Sequence, residues 1–174
     1  LMSYQAGVKH AVATSGTAFG ADHIRALKRL SDNLVRSVDA DEAGLAAGER
    51  AIDLAEANDF NVKVALLKGY KDPAEAAERD PQALLASVAR AEPAQEFYFR
   101  RYIPAERAPG RMSREQLKNI RIVLSKIKTI ASPVSQSFWL KELGVRTGIE
   151  EKTLLEEAER LGMPEAARAE NREE

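Results

Sequence analysis

Three carboxylates fall within four positions in the stretch DADEAG, residues 39–44. Like charges at this spacing repel, so something must offset them. Residues i and i+2 of an extended segment point the same way, which lets Asp39 and Asp41 face one site while Ala40 turns away. Mg²⁺ prefers such oxygen ligands. The spacing alone leaves two interpretations open: an acidic turn that opens a helix at Glu42, and a divalent-metal site.

A second acidic position follows the next predicted strand. Asp72 lies a few residues beyond the apolar run that ends at Leu67, in NVKVALLKGYKDPAE. Ligands of open α/β sheets bind beyond the carboxyl ends of the strands, so two consecutive strands would deliver carboxylates to one edge. Lys71, beside Asp72, either meets a phosphate there or pairs with a neighbouring carboxylate.

The elements that must position these carboxylates alternate between strand and helix patterns. The spacing of apolar residues predicts strands at 10–14, 33–38 and 61–67, and helices at 21–32 and 42–59. Both connections are long enough for crossovers, which indicates an α/β unit with a parallel sheet.

The character of the sequence changes near residue 80, where the β-branched runs end and helix patterns follow. Most of these helices open with a proline or a serine. The predicted organisation is an α/β subdomain over 1–80, an all-α helical bundle over 81–164, and a polar tail or linker over 165–174. The last helix is predicted to be capped by Thr147 and to stop at Gly162.

Composition limits the possible classes of protein. The 174 residues are 30% charged with a net charge of −1, so a nucleic-acid site would be a local patch. The absence of cysteine excludes disulfides and cysteine-ligated zinc within this stretch. No apolar run is long enough to span a membrane, and no leader pattern is present. The chain opens in mid-pattern without methionine, so we expect a fragment that has lost its start.

Three motifs, VATSGTA, DADEAG and KDPAE, resemble the Toprim domain of bacterial DnaG-type primases in their order and spacing. The later segment IKTIASPVSQSFWLKELGVRTGIEEKTLLEEAERL resembles the helical subdomain that closes the primase polymerase core. The Asp-x-Asp signal alone is shared with topoisomerases, recombination proteins and some nucleases, and the helical segment favours primase. The resemblance implies a Rossmann-like Toprim fold followed by a helical bundle.

The resemblance also implies an activity: synthesis of short RNA primers on single-stranded DNA from ribonucleoside triphosphates, by two-metal nucleotidyl transfer. Asp39, Asp41 and Asp72 match the catalytic aspartates that bind Mg²⁺ or Mn²⁺. Glu75 is a further candidate metal ligand, and Lys71 a candidate contact to phosphate or nucleic acid. A replicative helicase would bind through a later domain, and zinc would belong only to an upstream module. The implied location is the bacterial cytoplasm, at the nucleoid, without a membrane partner.

The sequence departs from the family pattern at four places. The family's Glu-Gly-x-x-Asp motif would lie before Leu1, so we expect the chain alone to make no primer. Ala74 replaces the second aspartate of the family's Asp-Pro-Asp, and Val38 replaces an aromatic residue. Arg36 replaces an apolar strand residue. A buried, unpaired charge is costly, so Arg36 must either reach the surface or weaken its strand.

Two rival functions stay open. The first is another Toprim enzyme, either a nuclease or a topoisomerase. The second is a degenerate fragment that binds nucleic acid or protein partners without catalysis, which Arg36 and Ala74 keep open.

Other conspicuous residues favour structural interpretations. The stretch FYFRRY, residues 97–102, could stack on bases, but a helix with one apolar and one basic face explains it more simply. The same holds for a basic stretch on the next predicted helix, where a solvated face competes with a role in guiding template or product: Lys118, Arg121, Lys126 and Lys128. Trp139 is predicted in the core. His10, His23 and Ser15 have no partners in the sequence that would indicate catalysis.

Overall fold

The computed structural model of this protein describes residues 1–14, 19–38, 42–103 and 112–161. The chain divides into two compact units, the first Leu1–Ala94 and the second beginning at Gln95. Within the described ranges, none of the helices combines the length and the apolar character needed to cross a bilayer.

Among the described residues, the sheet of the first unit has three strands in the order β1-β2-β3. Strands β1 (Asn33–Val38) and β2 (Asn61–Leu66) pair in parallel from Asn33 opposite Asn61 to Val38 opposite Leu66. Strand β3 (Glu92–Pro93) pairs with β2 in the antiparallel direction. The predicted parallel pair is thus confirmed, and the antiparallel edge is an addition that the sequence patterns did not indicate.

The strand predicted at 10–14 is wrong. These residues, all within the described part of the chain, lie in a turn and an irregular segment. Val12, the central β-branched residue, is 69% exposed. A β-branched run forms a strand only where it finds a pairing partner and a face to bury, and this segment has neither in the described residues.

Helices pack against the strand pair in the first unit. Helix α3 (Glu42–Ala57) connects β1 to β2 and packs on both strands with its buried small residues and Ile52. The remaining helices of this unit are α1 (Met2–Gln5), α2 (Ala21–Lys28), α4 (Pro73–Arg79) and α5 (Pro81–Ala89).

Helix α5 packs within the first unit. Its Leu84 is buried in one cluster with Val8, Leu67 and Ala76, and the Ser87 hydroxyl donates a hydrogen bond to the carbonyl of Leu66, the last residue of β2. The contact-based boundary after Ala94 therefore lies beyond the subdomain boundary expected near residue 80.

The second unit contains the helices that the sequence predicts. They are α6 (Ala94–Tyr102), α7 (Arg114–Thr129), α8 (Pro133–Thr147) and α9 (Glu151–Arg160). Helices α7 and α8 each begin with a serine that caps the helix through its side chain. The Ser113 hydroxyl accepts a hydrogen bond from Gln116 N at 3.1 Å, and the Ser132 hydroxyl accepts one from Ser135 N at 3.3 Å. Such caps satisfy backbone donors that have no partner inside the helix.

The prediction that Thr147 caps the last helix is wrong. Thr147 is the last residue of α8, and its hydroxyl donates to the Leu143 carbonyl at 2.7 Å. Gly148 follows with φ 65°, the left-handed conformation that ends many helices. Glu150 is the N-cap of α9, without a side-chain cap bond. Gly162 lies outside the described residues, as does the predicted tail.

Candidate functional site

The parallel strands β1 and β2 end side by side, because Val38 is the register partner of Leu66. Asp39 is the next residue after β1, and α3 begins at Glu42. Asp39 and Asp41 themselves lie outside the described residues, so their shared orientation stays a prediction. The described neighbours fix only the two ends of this three-residue connection, Val38 and Glu42.

Asp72 is the N-cap of α4. Its backbone is extended, with φ −151° and ψ 171°, and its Oδ1 accepts hydrogen bonds from Ala74 N at 2.9 Å and Glu75 N at 2.8 Å. Both of these bonds use one carboxylate oxygen, and the side chain is half-buried. The helix start thus orients the carboxylate, and its positive dipole end favours the negative charge.

Glu75 is engaged on both oxygens. Its Oε2 accepts from Lys71 N at 2.6 Å, and its Oε1 forms an ion pair with Arg79 Nη1 at 2.9 Å. A metal ion at Glu75 would have to displace one of these partners. The Lys71 side chain is exposed and forms no ion pair within the described part of the chain. The choice between a phosphate and a neighbouring carboxylate as its partner stays a prediction.

Strand β1 contains buried polar atoms without hydrogen-bond partners at the two positions before Val38. Arg36 is half-buried, and its Nε and the Oγ of Ser37 are buried atoms without hydrogen-bond partners in the described part of the chain. Each such unsatisfied group costs about 1–3 kcal/mol. Arg36 therefore does not escape fully to the surface, while β1 still pairs with β2 from Asn33 to Val38.

The consecutive aromatic residues of α6 are buried in the core of the helical unit. Phe97, Tyr98 and Phe99 are 5%, 0% and 1% exposed, so these rings are not available to stack on bases. Trp139 is half-buried and meets Phe99 edge-on, with ring centroids 5.9 Å apart. The structural interpretation of FYFRRY is therefore confirmed, while Trp139 lies at the margin of the core.

Three basic residues of α7 contact neighbouring helices of the helical unit. Arg121 Nε lies 2.6 Å from Glu157 Oε1 of α9, and Lys128 Nζ donates to the Ala158 carbonyl at 2.7 Å, near the end of the same helix. Lys126 Nζ lies over the Tyr98 ring at 5.1 Å from its centroid. Only Lys118 fits the solvated face that the sequence favoured, because it is exposed and the other three contact neighbouring elements.

The isolated histidines have no catalytic arrangement. His23 Nδ1 accepts a hydrogen bond from Gly20 N at 3.3 Å at the start of α2, and His10 is exposed. Ser15 lies outside the described residues. Over the described ranges, no three His, Asp or Glu side chains come close enough together to hold a metal ion. A metal site built from Asp39, Asp41 and Asp72 therefore stays a prediction.

The donor set fits a hard divalent cation. All three aspartates supply carboxylate oxygens, and Asp72 presents a carboxylate that is fixed through one oxygen only. Mg²⁺ and Mn²⁺ accept such ligands while keeping several other positions for water or phosphate. Glu75 fits less well because both of its oxygens are occupied.

Known proteins match this chain over both units. Residues 1–77 match the family described as Toprim-like. A DNA primase of Clostridium acetobutylicum is 28% identical over 152 residues, which are 87% of this chain and 25% of that protein. The solved E. coli primase catalytic core is 26% identical, with a TM-score of 0.68 over 86% of this chain and 48% of that one. A structure described as the DnaG primase catalytic domain bound to ssDNA is 23% identical, with a TM-score of 0.68 over 87% of this chain and 49% of that one.

These matches show which proteins this chain resembles. The likeness to the Toprim-like family covers residues 1–77, and the likeness to solved primase cores extends into the helical unit. The chain is similar to DNA primases and has the fold of part of the DnaG catalytic core. It spans about a quarter of the length of the C. acetobutylicum relative and about half of the solved cores.

Proposed function

We propose that this chain supplies the metal-binding unit and the adjoining helical unit of a bacterial primase, the enzyme that makes short RNA primers on single-stranded DNA. The observation that carries the proposal is that likeness to primases covers 87% of the chain, well past the Toprim-like residues 1–77. A nuclease or a topoisomerase would share the Toprim part alone, so the helical part favours primase over these rivals.

In this proposal Asp39, Asp41 and Asp72 hold divalent cations, Mg²⁺ or Mn²⁺, and act as the catalytic carboxylates. When bound, such ions offset the charge of a nucleotide's triphosphate and assist transfer of the nucleotidyl group. The N-cap bonds of Asp72 keep its carboxylate in one orientation, and this rigidity favours the bound geometry. Lys71, exposed beside it, is placed in sequence to meet a phosphate.

The partners proposed for the whole enzyme are a single-stranded DNA template, ribonucleoside triphosphates and a replicative helicase. The DNA partner is supported by the related catalytic domain solved with ssDNA. Helicase binding would use a further domain. The 174-residue chain alone is expected to make no primer, because the family's Glu-Gly-x-x-Asp motif is not among its residues.

A chimera tests the proposal. The matching stretch of E. coli primase is replaced by this chain, and template-dependent RNA synthesis is measured on single-stranded DNA. We expect primers from the chimera and none from its Asp39→Asn variant. Asp59→Asn is the matched control, because Asp59 is exposed near the opposite end of β2 and has φ 59°, which asparagine tolerates. A folded chimera that cleaves DNA in Mn²⁺ and makes no RNA would favour a nuclease instead.

A further inference from the structure

Helix α8 is apolar on two opposite sides. Its inner side carries Leu140 and Leu143, which are buried in the helical unit. Its outer side carries Val134, Phe138 and Val145, which are 81%, 55% and 73% exposed. A helix that is apolar all round is normally buried all round, so the outer side of α8 has the character of a surface that another molecule covers.

Four residues define this surface, which we call the outer stripe of α8: Val134, Phe138, Lys141 and Val145. Their spacings of four, three and four positions place them on one face of the helix. The Phe138 ring lies edge-on against Trp139, with centroids 4.9 Å apart, and this contact holds the ring at the surface. Lys141 is exposed, and within the described part of the chain it forms no ion pair and lies over no aromatic ring.

The outer stripe is complementary to itself. Its spacing reads the same in both directions, so a second copy of α8 packed antiparallel sets Val134 against Val145 of that copy and Phe138 against Lys141 of that copy. An apolar side chain then meets an apolar one, and each lysine meets an aromatic face. The chain already uses this chemistry internally, where Lys28 Nζ lies 4.8 Å from the centroid of the Phe60 ring.

Charge and area indicate how two copies would pair. A parallel pair would set each Lys141 against the same lysine of the other copy, and the antiparallel pair avoids this repulsion. The net charge of the chain is −1, so little long-range repulsion keeps two copies apart. One pair of helices covers less than the roughly 800 Å² per partner of a standard interface, which limits the dimer to weak, reversible association.

We propose that the outer stripe of α8 is a self-association surface, on which a second copy of this chain packs its own α8 antiparallel about a two-fold axis. The two-fold axis passes between Phe138 and Lys141, so each copy contributes the same four residues. This inference is independent of the metal site and of the proposed function.

Sedimentation equilibrium of the 174-residue chain tests the association. We expect a monomer–dimer equilibrium with a dissociation constant of roughly 10 µM to 1 mM. Val145→Glu is expected to weaken it at least about tenfold, because it sets a carboxylate against a valine. Phe138→Leu keeps an apolar side chain but loses both cation–π contacts of the dimer, and it is expected to weaken association about five- to thirtyfold.

Leu117→Glu is the matched control. Leu117 is an exposed leucine in the first turns of α7, outside the outer stripe, and a glutamate there lies one helical turn before Arg121. Its variant should associate as wild type does. All the substituted side chains are exposed, so circular dichroism should show the same helix content in every variant.

Chemical cross-linking tests the antiparallel direction. The chain has no cysteine, so single cysteines at positions 134 and 145 are the only thiols in their variants. A short bis-maleimide should join Val134→Cys to Val145→Cys in a mixture of the two proteins. Neither variant should cross-link to itself, because in the antiparallel pair the two equal positions lie about 16 Å apart along the helix axis.

Each contrary result overturns the proposal. A wild-type chain that stays monomeric up to about 1 mM has no self-association surface in the expected range. Association that Val145→Glu leaves unchanged, or that Leu117→Glu weakens equally, does not use the outer stripe. Cross-linking of Val134→Cys to itself, without the mixed product, shows a parallel pair and excludes the two-fold packing.

Discussion

Asp72 has two roles in this account, and two substitutions separate them. It caps α4 through Oδ1, and it is a proposed metal ligand through its charge. Asp72→Asn keeps an oxygen that can accept the two backbone N–H groups, because asparagine is as good an N-cap as aspartate. Asp72→Ala removes both the oxygen and the charge.

The expected stabilities follow from the cap geometry. The alanine variant leaves Ala74 N and Glu75 N without their acceptor at a half-buried helix start, and loss of such a cap costs about 1 kcal/mol, within a range of about 0.5–2. Loss of the charge at the helix dipole adds about 0.3–1 kcal/mol in both variants. For a unit the size of Leu1–Ala94, each kcal/mol lowers Tm by about 4–8 °C.

The measurements are thermal unfolding and Mn²⁺ titration of both variants. We expect Asp72→Ala to lower Tm clearly more than Asp72→Asn, and both to weaken Mn²⁺ binding about tenfold or more. Equal destabilisation by the two substitutions would refute the capping role. Unchanged Mn²⁺ affinity in a folded Asp72→Asn variant would refute the metal role and leave the cap in place.

Three further predictions concern both units. Phe99→Ala should destabilise the helical unit by about 3–5 kcal/mol in urea unfolding, because Phe99 is 1% exposed. A double-mutant cycle on Arg121 and Glu157 should give a coupling of about 0.2–1 kcal/mol that falls with added salt, because both side chains are partly exposed. Burial and the Asp80 carboxylate raise the pKa of the Tyr70 hydroxyl above its ordinary value of 10.0. The protonated hydroxyl is therefore favoured in the folded chain, and stability should fall as pH rises above 10, a loss that Tyr70→Phe should reduce.

Each of these three predictions has a control or an outcome that would contradict it. Phe138→Ala, at a side chain that is 55% exposed, is the control for Phe99 and should cost less than about 1 kcal/mol. A salt-independent cycle would show that Arg121 acts through packing instead of charge. Equal alkaline loss in wild type and Tyr70→Phe would assign the titration to another group.

The strand–helix–strand segment was predictable because local pattern and tertiary role agree. The predicted strand at 33–38 is Asn33–Val38, and the predicted helix at 42–59 is Glu42–Ala57. The strand predicted at 10–14 is wrong because a β-branched run does not show whether a partner strand is available. The cap predicted at Thr147 is wrong because threonine is common at helix starts, whereas here Thr147 is the last residue of α8. The glycine that follows it, Gly148, is the sequence feature that indicates the end of this helix.

The candidate site was only partly readable from the sequence. The sequence indicates Asp72 as an acidic position beyond β2, and its Asp-Pro-x-Glu signature is also typical of the N-cap that Asp72 forms in α4. The close packing of Gly48 on Val38 could not be found from pattern, because the two residues lie on different elements; a Cβ atom added at Gly48 would lie 2.8 Å from Val38 Cγ1. Spacing along a chain predicts which face a residue shares, and it does not predict how closely two elements pack.

The central claim is that the acidic connection after β1 binds a divalent cation, and Asp39→Asn tests it most directly. Mn²⁺ binding is measured by calorimetry for wild type, Asp39→Asn and the control Asp59→Asn, with folding checked by circular dichroism. The account predicts that Asp39→Asn weakens binding about tenfold or more while Asp59→Asn matches wild type. Equal affinity in all three folded proteins would contradict the account and leave DADEAG as an acidic start of α3.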